Sequence, residues 1–201
     1  MRVVRSQSLL VLVLVVAVVC GILHPAVAGF SSSPDVGERF LDVKSFAFKI
    51  AAKNGWSLII SNEVTSPCKE VKGTTVEEAF AHYFKDTQFG WRYFEDCLYI
   101  ANERELRKFF QKLPELEMGL PKGKSGAFFS GIFQRVELSL LCQLLKAISG
   151  VEIRTASGFE GNVMMRARNM GWQRVLLSVA FLNRLQIDKT DFSVILSPER
   201  Q

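Results

Sequence analysis

Apolar and polar positions repeat in the same order in two stretches of the chain. The first begins "FLDVKSFAFKIAAKNGWSLIISNEV" and the second "RVELSLLCQLLKAISGVEIRTASGF". With Gly55 set on Gly150, Val43, Phe46 and Ile50 fall over Leu138, Leu141 and Leu145. That spacing predicts one buried helix face in each stretch. Each glycine stands where a helix ends, because the left-handed conformation that closes a helix costs glycine little. An apolar-rich strand follows each, "WSLII" and "VEIRT". Further on, "TTVEEAFAHYF" lies over "MGWQRVLLSVAF" as a second helix. Thr74 or Thr75 is the expected N-cap of the first of these, with Glu77 and Glu78 near its positive end. "FGWRYFED" with "CLYIA", and "LQIDKTD" with "SVILS", close the two stretches as hairpins.

The period changes inside "NVMMRARNMGWQRVLLSV". Val163, Met165 and Ala167 alternate with Met164, Arg166 and Arg168, the pattern of a strand with one buried face. After the turn expected at "NMGW", Trp172, Val175, Leu176 and Val179 take helical spacing. The pattern predicts modules of strand, helix, strand, strand, helix and hairpin. Helices must cover sheet to bury either, so the fold class is α+β with two tandem small modules. The expected divisions are residues 1–28, 29–105, 106–126 and 127–201. In the third of these, Leu106, Phe109, Phe110 and Leu113 predict a short amphipathic helix stopped by Pro114. "LPKGKSG" after it reads as a flexible linker.

The N-terminus changes the picture of where the protein works. Arg2 and Arg5 precede the unbroken apolar run Leu9–Val19, and Pro25 precedes "AVAGF". This is the layout of a signal peptide, with cleavage expected after Ala28. The run is shorter than the roughly 20 residues that span a bilayer, so no stable span is expected after cleavage. Export permits disulfides. Cys68 and Cys97 can pair or stay free, since sequence does not fix the geometry a disulfide needs. Cys142, among leucines in "LSLLCQLL", reads as a buried apolar filler. The formal charge of +5 falls when Arg2 and Arg5 are removed, too small a positive charge to argue for nucleic acid.

The stretch Gly158–Glu199 resembles the secretin and TonB N-terminal short domain. It is most similar to the N-terminal periplasmic domain of type IV pilus secretins. Gly161, Val163, Met165, Asn169, Trp172, Leu176, Leu185, Val194, Ile195 and Pro198 stand on the family's pattern, while Gly171 and Val175 replace its proline and alanine. The first stretch resembles a second, divergent copy. The matched residues are structural. Trp172 is expected to cap the core where strand gives way to helix, and Asn169 to bond nearby backbone in a turn. Arg166 and Arg168 read either as a solvated strand face or as a cationic rim for an acidic partner.

The resemblance implies an exported protein-interaction module of a pilus or type II-like secretion machine. Its implied partners are a secretin, a pilus alignment protein or an inner-membrane secretion component. Its implied location is the periplasm, with any outer-membrane association made through a partner. The chain ends at "SVILSPERQ" without the alternating strands of a membrane barrel, so a pore is not expected from it. An accessory protein or the detached front of a split secretin is. The alternatives are a sensor module of the kind found on TonB-dependent receptors, and a peptidoglycan or carbohydrate binder using Trp91, Tyr93 and Phe94. An enzyme is not expected. His82 reads as a helix-surface histidine, and the cysteines form neither zinc spacing nor a C-x-x-C pair. Adjacent Glu77 and Glu78 diverge on a helix. No cofactor or metal is expected.

Overall fold

The computed structural model describes residues 42–65 and 75–199. The signal segment 1–28, its cleavage after Ala28, and Cys68 lie outside the described residues, as does the start of the first module. The described residues belong to one compact unit, and its α+β class is as expected.

The first stretch forms α1 (Val43–Asn54), β1 (Ser57–Ile60), α2 (Val76–Phe84), β2 (Phe89–Phe94) and β3 (Cys97–Asn102). The second forms β4 (Phe128–Glu137), α4 (Leu138–Ser149), β5 (Glu152–Thr155), β6 (Asn162–Gly171), α5 (Trp172–Leu182), β7 (Leu185–Lys189) and β8 (Ser193–Pro198). Between them runs α3 (Glu103–Met118).

The repeat extends to individual hydrogen bonds. Asp42 caps α1 by accepting from the Ser45 amide at 2.8 Å. Gly55 (φ 71°) and Gly150 (φ 73°) end α1 and α4 in the left-handed conformation. After Gly55 the Trp56 amide donates back to Ala51 O at 2.8 Å, and the Gly150 amide donates to Lys146 O at 2.9 Å. β1 then runs parallel to β3, and β5 parallel to β8, over four residue pairs each. The Ser57 amide donates to Asp96 O as the Glu152 amide donates to Phe192 O. At the other end the Ser61 amide reaches Ile100 O, and the Ala156 amide reaches Leu196 O. Thr75 caps α2 in a reciprocal box with Glu78. The β2–β3 turn places Glu95 and Asp96 at φ 47° and 57°, the two-residue geometry whose twist suits a hairpin.

The modules are not separate sheets. β6 pairs antiparallel with β1, joining Leu58 to Arg166 and Ile60 to Met164. The result is a five-stranded sheet in the order β2-β3-β1-β6-β4, with a three-stranded sheet β5-β8-β7 beside it. One face of the larger sheet buries Leu58, Ile60, Leu98 and Ile100 under α1 and α2, where Phe46 packs on Phe80 and Tyr83. Its other face buries Ile59, Tyr99, Val163 and Met165 against α3, α4 and α5. Those helices also bury Ile153, Val194 and Leu196 of the smaller sheet. Helices, sheet, helices and sheet thus stack as four layers.

Three expectations for the centre of the chain are corrected. The helix does not stop at Pro114 but continues through it to Met118. Pro114 is exposed, so the Phe110 carbonyl it deprives of an amide partner is left on the side open to water. Beyond it, Leu116 is held in the core and Glu117 pairs with Arg174. The segment "LPKGKSG" is docked rather than free: Leu120 and Pro121 are buried, and the Lys124 amide donates to Ser149 O at 2.8 Å. Residues 106–126 thus lie inside the one compact unit. Nor does a turn precede α5, because β6 runs to Gly171 and abuts Trp172. Asn169 sits in that strand at φ 53°, where the β4–β6 register shifts between Phe129 and Gly131. Asparagine tolerates the left-handed conformation that such a bulge requires.

Candidate interaction surface

β6 positions Arg166 and Arg168 on the same sheet face as Leu58, because paired residues of neighbouring strands point to the same side. There they turn toward the end of α1. Arg166 Nε donates to Trp56 O at 3.1 Å and Arg168 Nη1 to Gly55 O at 3.2 Å. The Arg168 amide also donates to Ser57 Oγ at 3.0 Å. These guanidinium groups satisfy carbonyls that the helix end and turn leave open, and cations favour a helix C-terminus. The two arginines thus have contacts within the chain that neither expectation included. Both arginines bind the second module to the first, and Arg168 remains exposed beyond that contact.

β4 is the outer strand of the five-stranded sheet, ten residues long. Phe129 and Phe133 point into the core, so Phe128 and Ile132 point to the opposite face. That is the face of α1 and α2, and no described helix covers it at β4. Phe128 is 56% exposed and Ile132 60%. Half of an edge strand's backbone groups look outward without a strand partner. An open edge and uncovered apolar side chains thus coincide on one strand, next to Arg166.

A second constellation sits where β3, α3 and α5 meet. Cys97 and Tyr99 project from β3 into the core, and Tyr99 Oη is fully buried beside Arg174. Arg174 of α5 lies beside them. Its Nε pairs with Glu117, its Nη1 with Glu95 at 2.9 Å, and its guanidinium lies 5.4 Å from the Phe94 ring centre. Burial disfavours the Arg174 charge, but Glu117 and Tyr99 together outweigh that and hold it charged. Burial pushes the Cys97 thiol up to about 12 and the Cys142 thiol up to about 11, and raises the Tyr99 phenol as well. Neither thiol is a poised nucleophile, since reactivity needs the thiolate. Cys97 is a free buried thiol, while Cys68, its expected partner, is not among the described residues. The cluster is a latch between the two stretches. Sequence reading passed over Arg174, although a lone arginine inside "WQRVLLSV" is the signal that marks it.

The remaining sequence-picked residues are dispersed. Gly161, Val163 and Leu176 serve the core around β6 and α5, and Pro198 ends β8. Trp172 opens α5 at 3% exposure, as its core role required, and its amide donates to Ala127 O. His82 is half-buried on α2. Trp91, Tyr93 and Phe94 each pack on another ring, Phe80, Trp56 and Phe110 in turn, and Phe94 stays 40% exposed. Among the described residues no group of three or more His, Cys, Asp or Glu is placed to hold a metal ion. None of the described helices is long and apolar enough to cross a membrane. No protein-family model and no curated protein sequence matches the chain.

Proposed function

We propose that this chain is an exported adaptor of the cell envelope, a tandem module of the secretin N-terminal kind that binds protein components of a pilus or type II-like secretion machine in the periplasm. The observation that carries the reading is the repeated topology. In both stretches a glycine-capped helix leads to a strand that pairs parallel with the last strand of a closing hairpin. The second stretch has the whole order of strand, helix, strand, strand, helix and hairpin that the hydrophobic pattern predicts. β4 adds a long open edge with uncovered Phe128 and Ile132, the form of surface through which small α+β modules add strands to one another.

Crosslinking in intact cells, followed by mass spectrometry, tests the proposal. The expected result is processing after Ala28 and capture of a secretin, a pilus alignment protein or an inner-membrane secretion component. Retention of the chain in the cytoplasm, or recovery of peptidoglycan fragments alone, would overturn it.

A further inference from the structure

The five-stranded sheet has a second outer strand, β2, and its edge differs from that of β4. A groove of about 400 Å3 wraps around it. The groove is lined from both sides of the sheet. Trp91 lies on the α2 side with Phe80 and Phe84, while Gly90 lies on the other side with Glu103 and Leu106 of α3. A groove lined from both faces of an outer strand follows that strand's open edge.

Gly90 makes the notch. An added Cβ there would lie 3.4 Å from Glu103 Cγ, and a glycine inside a strand is where another backbone can approach closely. The chemistry along the edge has one sign. Lys85 and Arg92 line the groove, and Arg104, Arg107 and Lys108 line a second depression that shares Glu103 with it. Glu103 pairs with Arg107, and Glu105 with Lys108 at 3.2 Å, and among these lining residues cations outnumber carboxylates. The apolar floor of Phe80, Phe84, Trp91 and Leu106 asks for an aliphatic side chain, and the rim asks for carboxylates.

We propose that the outer edge of β2 is a peptide-binding site that takes an extended acidic segment of a partner protein as an added strand. The segment's backbone pairs with β2 at Trp91, whose amide and carbonyl face away from β3 while those of Gly90 and Arg92 face toward it. Its side chains alternate between the α2 face, where an aliphatic one meets Phe80 and Trp91, and the α3 face beside Gly90, and its carboxylates meet the cationic rim. Main-chain pairing supplies affinity in this mode, and pockets at alternate residues supply selectivity. The inference rests on the reading of the chain as an interaction module and specifies one of its contacts.

The test uses the signal-processed chain and a fluorescein-labelled decapeptide that alternates Asp or Glu with Leu and Val. Two controls carry Lys in place of the acids, or methyl groups on alternate backbone amides. Saturable binding of the acidic peptide is expected, with slowed amide exchange at Trp91, whose N–H faces the open side of β2, and weakening as salt rises. Lys85→Glu with Arg92→Glu should weaken binding at least about tenfold, since both are rim charges. Gly90→Thr should abolish it with the melting temperature held. No saturable binding, equal binding of either control peptide, or protection confined to β4 would overturn the site. Failure here alongside capture of an envelope protein in cells removes only this groove. Peptide binding without such capture keeps the groove and removes the envelope assignment.

Discussion

At the scale of single residues, Trp172 lies 3% exposed where β6 gives way to α5. Trp172 follows an alternating strand and opens a helical period, which is why its place in the core could be read in advance. Its near-complete burial at the junction of β6, α5 and the docked 120–127 segment makes truncation costly. Trp172→Ala should destabilise the fold by about 3–5 kcal/mol, the usual range for deleting a large core aromatic, as measured by urea unfolding. Cys97 gave no comparable signal, because burial from the α3 side depends on a helix that follows it. Its thiol is neutral well above the usual range when folded. The folded state therefore keeps a proton that the unfolded chain gives up. That contribution is fully present below about pH 9 and is lost as pH rises through about 12. Stability should fall by about 1.4 kcal/mol per pH unit per such group in that window, with Cys142 adding a loss up to about 11 and Tyr99 one above 10. Urea midpoints across pH 7–11 would show it. Cys97→Ala should flatten the curve, and a midpoint insensitive to pH above 9 in the parent chain would refute the account.

At the scale of elements, periodicity and caps were legible where contacts are local. Thr75, Gly55 and Gly150 marked helix ends because capping is settled within a few residues. Pro114 misled because its cost is local while its compensation is not: Leu116 and Glu117 are anchored by α5 and the core. The two arginines of β6 also depend on a distant partner, the end of α1, more than a hundred residues earlier. Their contacts predict a specific consequence. Arg166→Ala takes the Arg166 donor from Trp56 O and should cost about 1.5–3 kcal/mol, the range for a hydrogen bond made by a charged group. Hydrogen exchange should then speed up at the α1–β1 junction and leave β7 and β8 unchanged. Equal acceleration across both sheets would mean that the arginine supports the whole fold rather than that junction.

At the scale of the molecule, the interlocking of the two stretches left a trace in composition that periodicity alone did not decode. "SLII" and "CLYIA" are buried at every position, whereas "EIRT" and "SVILS" alternate. A strand buried on both faces has cover on both, and a lone module with two helices covers only one. The second cover is supplied by α3 and α5 over Ile59, Tyr99 and Ala101. Beside this, β6 pairs with β1, the Asn62 amide donates to Asn183 Oδ1 at 3.0 Å, and Arg184 meets Glu63 at 3.2 Å. Separating the stretches would expose one apolar sheet face and break a strand pair at once. The chain should therefore unfold in a single transition, with calorimetric and van't Hoff enthalpies equal. A protease site placed at exposed Ser125 tests the same coupling and disturbs only the Ala127–Lys124 turn. After cleavage the two fragments should co-elute and melt together, while residues 42–119 expressed alone should aggregate or bind a hydrophobic dye through the uncovered face of β1 and β3. Two resolved transitions, or two soluble fragments that part on cleavage, would show instead that each stretch holds its own core and that the shared sheet is only a contact between them.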